Sequence, residues 1–260
     1  DVIRLPEIPM PIDYIIHCAS PTASETFMQN PVETITTMVY GTNNVLTLAK
    51  DKKVKSMVYL SSMEAYGSPQ EKVLLTEDKV DYLNPLKVRS CYPEGKRLCE
   101  NLCVSYRSEY QVPVKIARLA QTFGTGIPKT DRRVFVQFLQ SSMRGEDIDI
   151  KASGNSARMY LYSFDAVTAI ITTMLYGEDG NAYNIANKES YSSITELAHR
   201  IAQMFGNKSK VRTHTGSAEE ISMYPPDSYL YLDTSKLEAL GWKAKVSLEA
   251  GLRELALILG

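Results

Sequence analysis

The strongest constraint on this chain is an alternation of two spacings. Short, almost continuously apolar runs of strand length are separated by longer stretches with helical spacing. Residues 12–19 (IDYIIHCA) form one such run and read as a strand buried on both faces. Residues 31–50 follow, with Val32, Ile35, Val39, Val45, Leu46 and Leu48 at helical apolar positions. Residues 56–61 (SMVYLS) read as a second strand, 90–110 as a long helix and 112–118 (VPVKIAR) as a third strand. Strand–helix–strand–helix–strand with right-handed crossovers makes a parallel sheet, so the fold class is α/β. Further helices are expected at 133–144, 165–176, 193–205 and 248–259, and a short strand at 182–186. The helix at 193 opens with a capping box, Ser193 and Glu196. The regular alternation ends at Gly124-Thr-Gly-Ile-Pro128, which reads as a turn.

Charge and cysteine usage exclude several classes of function. In 260 residues, 29 Lys+Arg face 30 Asp+Glu, a net charge of −1, so no broad basic face is available for nucleic acid or an anionic membrane. No apolar run approaches the roughly 18 residues of a membrane helix. The first residues, DVIRLPEIPMPIDY, lack the apolar stretch of a signal peptide. Cys18, Cys91, Cys99 and Cys103 form no CxxC pair and have no histidine at zinc spacing. Reduced thiols, no metal site and a cytoplasmic location are expected.

A dinucleotide-binding α/β domain normally opens with a strand and a glycine-rich turn. None is present, since Gly124-Thr-Gly126 lacks a third glycine and runs into Pro128. Either the fold is not dinucleotide-binding or the chain starts partway into one; Asp1, in place of an initiator Met, suits the second reading.

Two segments carry chemistry. In Tyr92-Pro-Glu-Gly-Lys96 the phenol and ammonium lie i,i+4 on one helix face, and Pro93 places Tyr92 in the first turn. A lysine ammonium beside a phenol favours phenolate, a usable base. Alone, such a pair in a chain rich in Tyr and Lys carries little weight. Leu60-Ser-Ser-Met-Glu-Ala-Tyr-Gly67 follows a parallel strand and therefore lies where open α/β sheets bind ligands. Ser62 could donate to a substrate oxygen and Glu64 could act as acid or base; a strand-ending turn with a solvated glutamate explains the same residues.

Together, Ser62, Tyr92 and Lys96 have the order and setting of the short-chain dehydrogenase/reductase triad. The chain resembles the extended members of that superfamily, the nucleotide-sugar epimerases, dehydratases and decarboxylases. His17-Cys-Ala19 resembles the H-x-A motif, Gly41-Thr-Asn-Asn44 the G-T-x-N helix motif, and Arg118-Leu-Ala-Gln-Thr-Phe-Gly124 the R-x-x-N-x-Y-G stretch. Arg158-Met-Tyr-Leu-Tyr-Ser-Phe-Asp165 resembles R-x-x-x-Y-V-x-D, and Tyr183-Asn-Ile-Ala-Asn187 the strand beyond it. Within the group, the run from Arg89 to Arg97 (RSCYPEGKR), together with Glu64, is most similar to the UDP-glucuronate decarboxylases. Met63 stands where 4,6-dehydratases carry an acidic proton donor and decarboxylases a small polar residue, Gln121 where a substrate-binding Asn is usual, and Met38 where an Asn is common.

The resemblance implies a Rossmann-like parallel sheet, N-terminally truncated, with a smaller C-terminal α/β substrate lobe. Residues 1–125 and about 159–187 would form the partial dinucleotide-binding domain, and 126–158 with 188–260 the substrate lobe. It implies an NAD-dependent enzyme acting through a transient 4-keto sugar. Ser62, Glu64, Tyr92 and Lys96 would be catalytic. Ala19, Ser20, Leu60, Ser61, Tyr92 and Lys96 would contact NAD, and Arg89, Gln121, Arg133 and Arg158 the nucleotide sugar. A homodimer through the helix carrying Tyr92 and Lys96 is expected. A 4-epimerase, dehydratase or 4-keto reductase of the same fold, and a non-catalytic nucleotide-binding module, remain as alternatives.

Overall fold

A computed structural model describes residues 1–213 and 227–260. Its centre is a four-stranded, wholly parallel sheet. The strands are β1 (Tyr14–His17), β2 (Ser56–Ser62), β4 (Val114–Leu119) and β9 (Ala182–Ile185), in that spatial order. A two-residue strand β3 (Leu74–Leu75) lies between β2 and β4 in sequence but belongs to a separate small sheet.

The crossovers supply the helices. α1 (Ser24–Gln29) and α2 (Pro31–Lys52) link β1 to β2; Pro31 opens α2, where a missing N–H costs nothing, and Lys53 closes it with a positive φ of 52°. α3 (Cys91–Tyr110) links β2 to β4. Its buried residues Tyr92, Lys96, Cys99 and Cys103 recur every three or four positions, so one stripe faces the sheet. Gly95 faces the Met38 methyl where α2 packs on α3. α5 (Ser163–Tyr176) packs over β2, β4 and β9 on the opposite face.

The remaining elements are short. β5 (Gln121–Phe123) pairs in parallel with β8 (Tyr160–Tyr162). β6 (Ile148–Ile150) pairs with β11 (Val211–Thr213). β7 (Ala157–Arg158), β10 (Ser192–Ser193) and β12 (Tyr229–Leu232) join β3 in a second four-stranded sheet. α4 (Val134–Arg144), α6 (Ile194–Met204) and α8 (Leu248–Leu259) bury Phe135, Leu139, Leu197, Ile201, Leu252 and Leu255 together in a core of their own. The capping box at Ser193 and Glu196 is present. α7 (Ser235–Glu238) follows β12. Asp165 accepts from the backbone N–H groups of Lys245 and Val246, which ties the C-terminal segment to the start of α5.

One expectation about β1 fails. It was read as buried on both faces, but Tyr14 is 48% and Ile16 43% exposed. Among the described residues β1 pairs with β2 alone; α2 covers the side of His17, while α5 packs over β2, β4 and β9. Among the described residues no helix is long and apolar enough to cross a membrane, and no group of three His, Cys, Asp or Glu could hold a metal ion.

Candidate active site

The carboxyl end of β2 and the start of α3 bring the first group of residues together. Ser62 ends β2, and its Oγ accepts from the Glu64 N–H at 3.2 Å, capping the short 3-10 turn Met63–Tyr66. Tyr92, the second residue of α3, is 8% exposed, and the neighbouring Ser62 hydroxyl works against the rise that burial imposes on its phenol. Lys96, one turn on, is 3% exposed, and its Nζ donates to the Leu60 carbonyl at 2.8 Å. The ammonium lies 5.1 Å from the Tyr59 ring centre and 5.6 Å from that of Tyr92. Below it, the Nε2 of His17 meets Thr42 Oγ1 at 3.0 Å, so the H-x-A and G-T-x-N stretches touch.

The electrostatics depart from the expectation that Lys96 lowers the Tyr92 phenol. Burial pushes Tyr92 up to about 12, the Glu64 carboxylate adds to this, and the cation that opposes it is Arg89. Lys96 is itself pulled down to about 8 by burial. Desolvation is the largest effect on both groups. Burial also takes His17 down to about 4, with Lys96 adding to the effect, so the imidazole is neutral at pH 7.

Glu64 and Arg89 form an ion pair, Arg89 Nη2 donating to Glu64 Oε2 at 2.8 Å. Arg89 also lies over Phe27, with Cζ 4.9 Å from the ring centre. Phe27, fully buried on α1, stacks on Tyr92 with centres 4.3 Å apart and planes 15° apart. The sequence reading missed Phe27, because a six-residue helix leaves no usable periodicity. It also missed Glu100 and Arg118, which form a second, buried pair. Arg118 Nε and Nη2 donate to the two Glu100 oxygens at 2.9 and 2.7 Å, and Nη1 to the Glu77 carbonyl. The spacing of Lys96 and Glu100 puts both on one face of α3, which was the available signal.

The other expected residues are placed as follows. Ser61 points its hydroxyl at Glu100 Oε1 (2.5 Å), so that side chain is engaged in the buried pair and not turned to a cofactor. Leu60 contributes its carbonyl to Lys96. Ala19 and Ser20 follow β1 and are partly exposed, with Ser20 Oγ donating to the Pro21 carbonyl. Gln121 begins β5, paired with Tyr160. Arg133 is drawn into its own loop: Nε and Nη2 donate to Asp131 and Nη1 to the Thr122 carbonyl. Arg158, on β7, has a buried Nε without a hydrogen-bond partner among the described residues.

NAD was expected as cofactor, and the described residues fit its ribose end. Among the described residues the Lys96 ammonium has one hydrogen-bond acceptor, the Leu60 carbonyl, which leaves donors for ribose hydroxyls at the carboxyl end of a parallel sheet.

The profile of the NAD dependent epimerase/dehydratase family matches residues 2–186. The chain belongs to that family. It is 32% identical over 243 residues to UDP-glucuronic acid decarboxylase 1 of Danio rerio, covering 94% of this chain and 56% of that protein. It is 33% identical over 245 residues to UDP-glucuronic acid decarboxylase 5 of Arabidopsis thaliana, covering 93% of this chain and 68% of that one. The chain thus spans little more than half the length of the first of these relatives. The fold is that of the UDP-glucose 4-epimerase of Thermotoga maritima, solved with UDP-glucose. The TM-score is 0.80 at 22% identity, over 95% of this chain and 76% of the other.

Proposed function

We propose that this family member modifies a nucleotide sugar through a transient 4-keto intermediate, in the manner of a UDP-glucuronate decarboxylase. The observation that carries the reading is the meeting of Ser62, Tyr92 and Lys96 at the carboxyl end of β2. Bound beside Lys96, NAD supplies reversible hydride transfer at the sugar C4. Lys96 and the Leu60 carbonyl, with Ala19 and Ser20 at the end of β1, would hold its ribose end. Tyr92, as phenolate, takes the C4 hydroxyl proton and later returns it. Ser62 donates to the oxygen that becomes the 4-keto group, where negative charge develops. A 4-keto group lets a carboxylate at C5 leave as carbon dioxide, and Glu64 stands beside Tyr92 to handle the proton that replaces it. Arg158, with its unpartnered Nε, suits the pyrophosphate oxygens, because a guanidinium binds phosphate through two donors. Gln121 lies between these groups in sequence as a contact to the sugar.

A homodimer through α3, the helix carrying Tyr92 and Lys96, belongs to the same proposal, supported by Leu98 and Val104 exposed on that helix. A cytoplasmic setting accords with four unpaired cysteines, three of them buried.

The test is to supply UDP-glucuronate and NAD and to follow carbon dioxide and the sugar product. Release of carbon dioxide is expected, with kcat reduced about 10²–10⁴-fold in Tyr92→Phe. Epimerised UDP-galacturonate with no carbon dioxide would assign the 4-epimerase chemistry instead, and full activity in Tyr92→Phe would overturn the catalytic assignment.

A further inference from the structure

Asn184 stands in the stretch Tyr183–Asn187 and has no part in the reaction just described. It is the third residue of β9 and is fully buried. Residues of a buried parallel strand are normally apolar, as the buried neighbours Tyr183 and Ile185 largely are, and a buried amide is tolerated where its hydrogen bonds are made. Those of Asn184 lead to two other parts of the fold. Nδ2 donates to the Leu75 carbonyl at 2.9 Å and to the Asp233 carbonyl at 3.0 Å. Leu75 ends β3 and Asp233 follows β12, so both bonds go to the second four-stranded sheet. Oδ1 accepts from the Tyr66 hydroxyl at 2.8 Å. Tyr66, also fully buried, is the last residue of the 3-10 turn that Ser62 caps. One amide on the central sheet thus holds the second sheet and the turn.

The second sheet carries Arg158. On it β7 pairs with β12, Arg158 opposite Leu230, and β12 pairs with β3, Leu232 opposite Leu75. We infer that Asn184 is a positioning residue: it registers the sheet carrying Arg158 to the turn headed by Ser62, and so sets the span between the phosphate contact and the reacting sugar carbon. The inference rests on the reading of the site as one for nucleotide sugars. A ligand gripped by its pyrophosphate reacts at C4 only if that span matches its own length, because small errors of placement are costly in rate. A carboxamide suits the task, since it presents two donors and an acceptor from one planar group. A carboxylate would set negative charge against the two carbonyls, and a single hydroxyl could not donate to both. Asn184 acts through Tyr66 and the strands, and its effect belongs in the rate and not in the grip on the phosphates.

Two measurements on the same variants test this: calorimetry with UDP as probe, and turnover of UDP-glucuronate with NAD. UDP engages the phosphate end alone, and its binding stoichiometry counts folded molecules. Tyr66→Phe removes the hydroxyl bond and keeps the ring and both amide donors. Asn184→Ala releases the turn and the second sheet together. In both variants UDP should bind within about twofold of the parent affinity and at the parent stoichiometry. The kcat per folded molecule should fall by about tenfold in Tyr66→Phe and towards about 10²-fold in Asn184→Ala, the cost of a misplacement near 1 Å. If Asn184→Ala does not fold, Tyr66→Phe decides. A Tyr66→Phe kcat within about twofold of the parent, or a loss matched by an equal loss of UDP stoichiometry, would overturn the inference and leave the nucleotide-sugar reading standing. Failure of the unmodified chain to bind UDP or to turn over UDP-glucuronate would overturn that reading and the inference with it.

Discussion

Two arginine–glutamate pairs flank the start of α3, and they differ in almost everything except their chemistry. Arg118 and Glu100 are buried, 7% and 8% exposed, and joined by two parallel hydrogen bonds. Ser61 and the Glu77 carbonyl take up further capacity, and the Tyr66 ring lies 4.7 Å from the guanidinium carbon. The paired carboxylate holds Arg118 well above its ordinary range, against the pull of burial. Arg89 and Glu64 share one bond at 2.8 Å and keep about a third of each side chain exposed. A saturated pair has no capacity for a ligand, so its work is registration: it sets α3 against β2 and β4. A half-satisfied pair keeps donor capacity that the saturated one lacks.

Breaking the buried pair should give the larger effect. Glu100→Ala leaves a buried guanidinium without its partner, and the expected cost is about 3–5 kcal/mol. The urea midpoint measures it. A loss below about 1 kcal/mol would mean that water reaches Arg118 and that the contrast between the pairs is one of degree. Replacing both residues by apolar side chains of similar size should recover much of the loss, since the desolvation cost of both charges goes with them.

The next effect is electrostatic and reads the distance from each pair to the chemistry. Lys96 is pulled down to about 8 by burial, and Glu100, one turn along α3, is among the groups that hold it up. Glu100→Gln keeps the shape and removes the charge, so Lys96 should titrate lower still. The sign follows because a negative neighbour favours the ammonium. The ¹³Cε shift of Lys96, followed against pH, reports this directly, and an upward or absent move would separate Glu100 from the site. In the active enzyme the same two values shape the pH profile. On the proposed mechanism the rate needs the Lys96 ammonium and the Tyr92 phenolate together. It should rise about tenfold per pH unit up to about 8 and then level, as the loss of ammonium cancels the gain of phenolate on the way to about 12.

The difference between the pairs also marks what could be read from the sequence. The alternation of apolar runs and helical spacing was enough for the parallel sheet, because buried parallel strands leave a strong local pattern. Its edges were not legible: Tyr14 and Ile16 are as apolar as residues of a central strand, and only the strand order reveals that β1 has one neighbour. The positions of Ser62 at a strand end and of Tyr92 and Lys96 on one helix face were legible because both are local geometry; their chemical role came from the resemblance. The Arg118–Glu100 pair was not, since it depends on the register of α3 over β4, which no spacing encodes. Arg133 shows the reverse: its partner Asp131 is two residues away, a local pair of the kind that spacing can suggest.

The smallest effect expected is the stability change in Glu64→Gln. The pair that it breaks is partly solvated on both sides and joined by one hydrogen bond, and such pairs contribute about 0–1 kcal/mol. The glutamine amide oxygen can still accept from Arg89 Nη2, so even this small contribution is not lost whole. Thermal or urea unfolding should therefore leave the variant within about 1 kcal/mol of the parent. Its effect on the Tyr92 phenol should be easier to see. Glu64 raises that group, so its removal moves the phenol back down from about 12 and makes phenolate available at lower pH. Tyrosinate absorbance, with Tyr92→Phe as the subtraction, measures the shift. A variant that lost several kcal/mol of stability without moving the phenol would show that the open pair, like the buried one, is a structural tie.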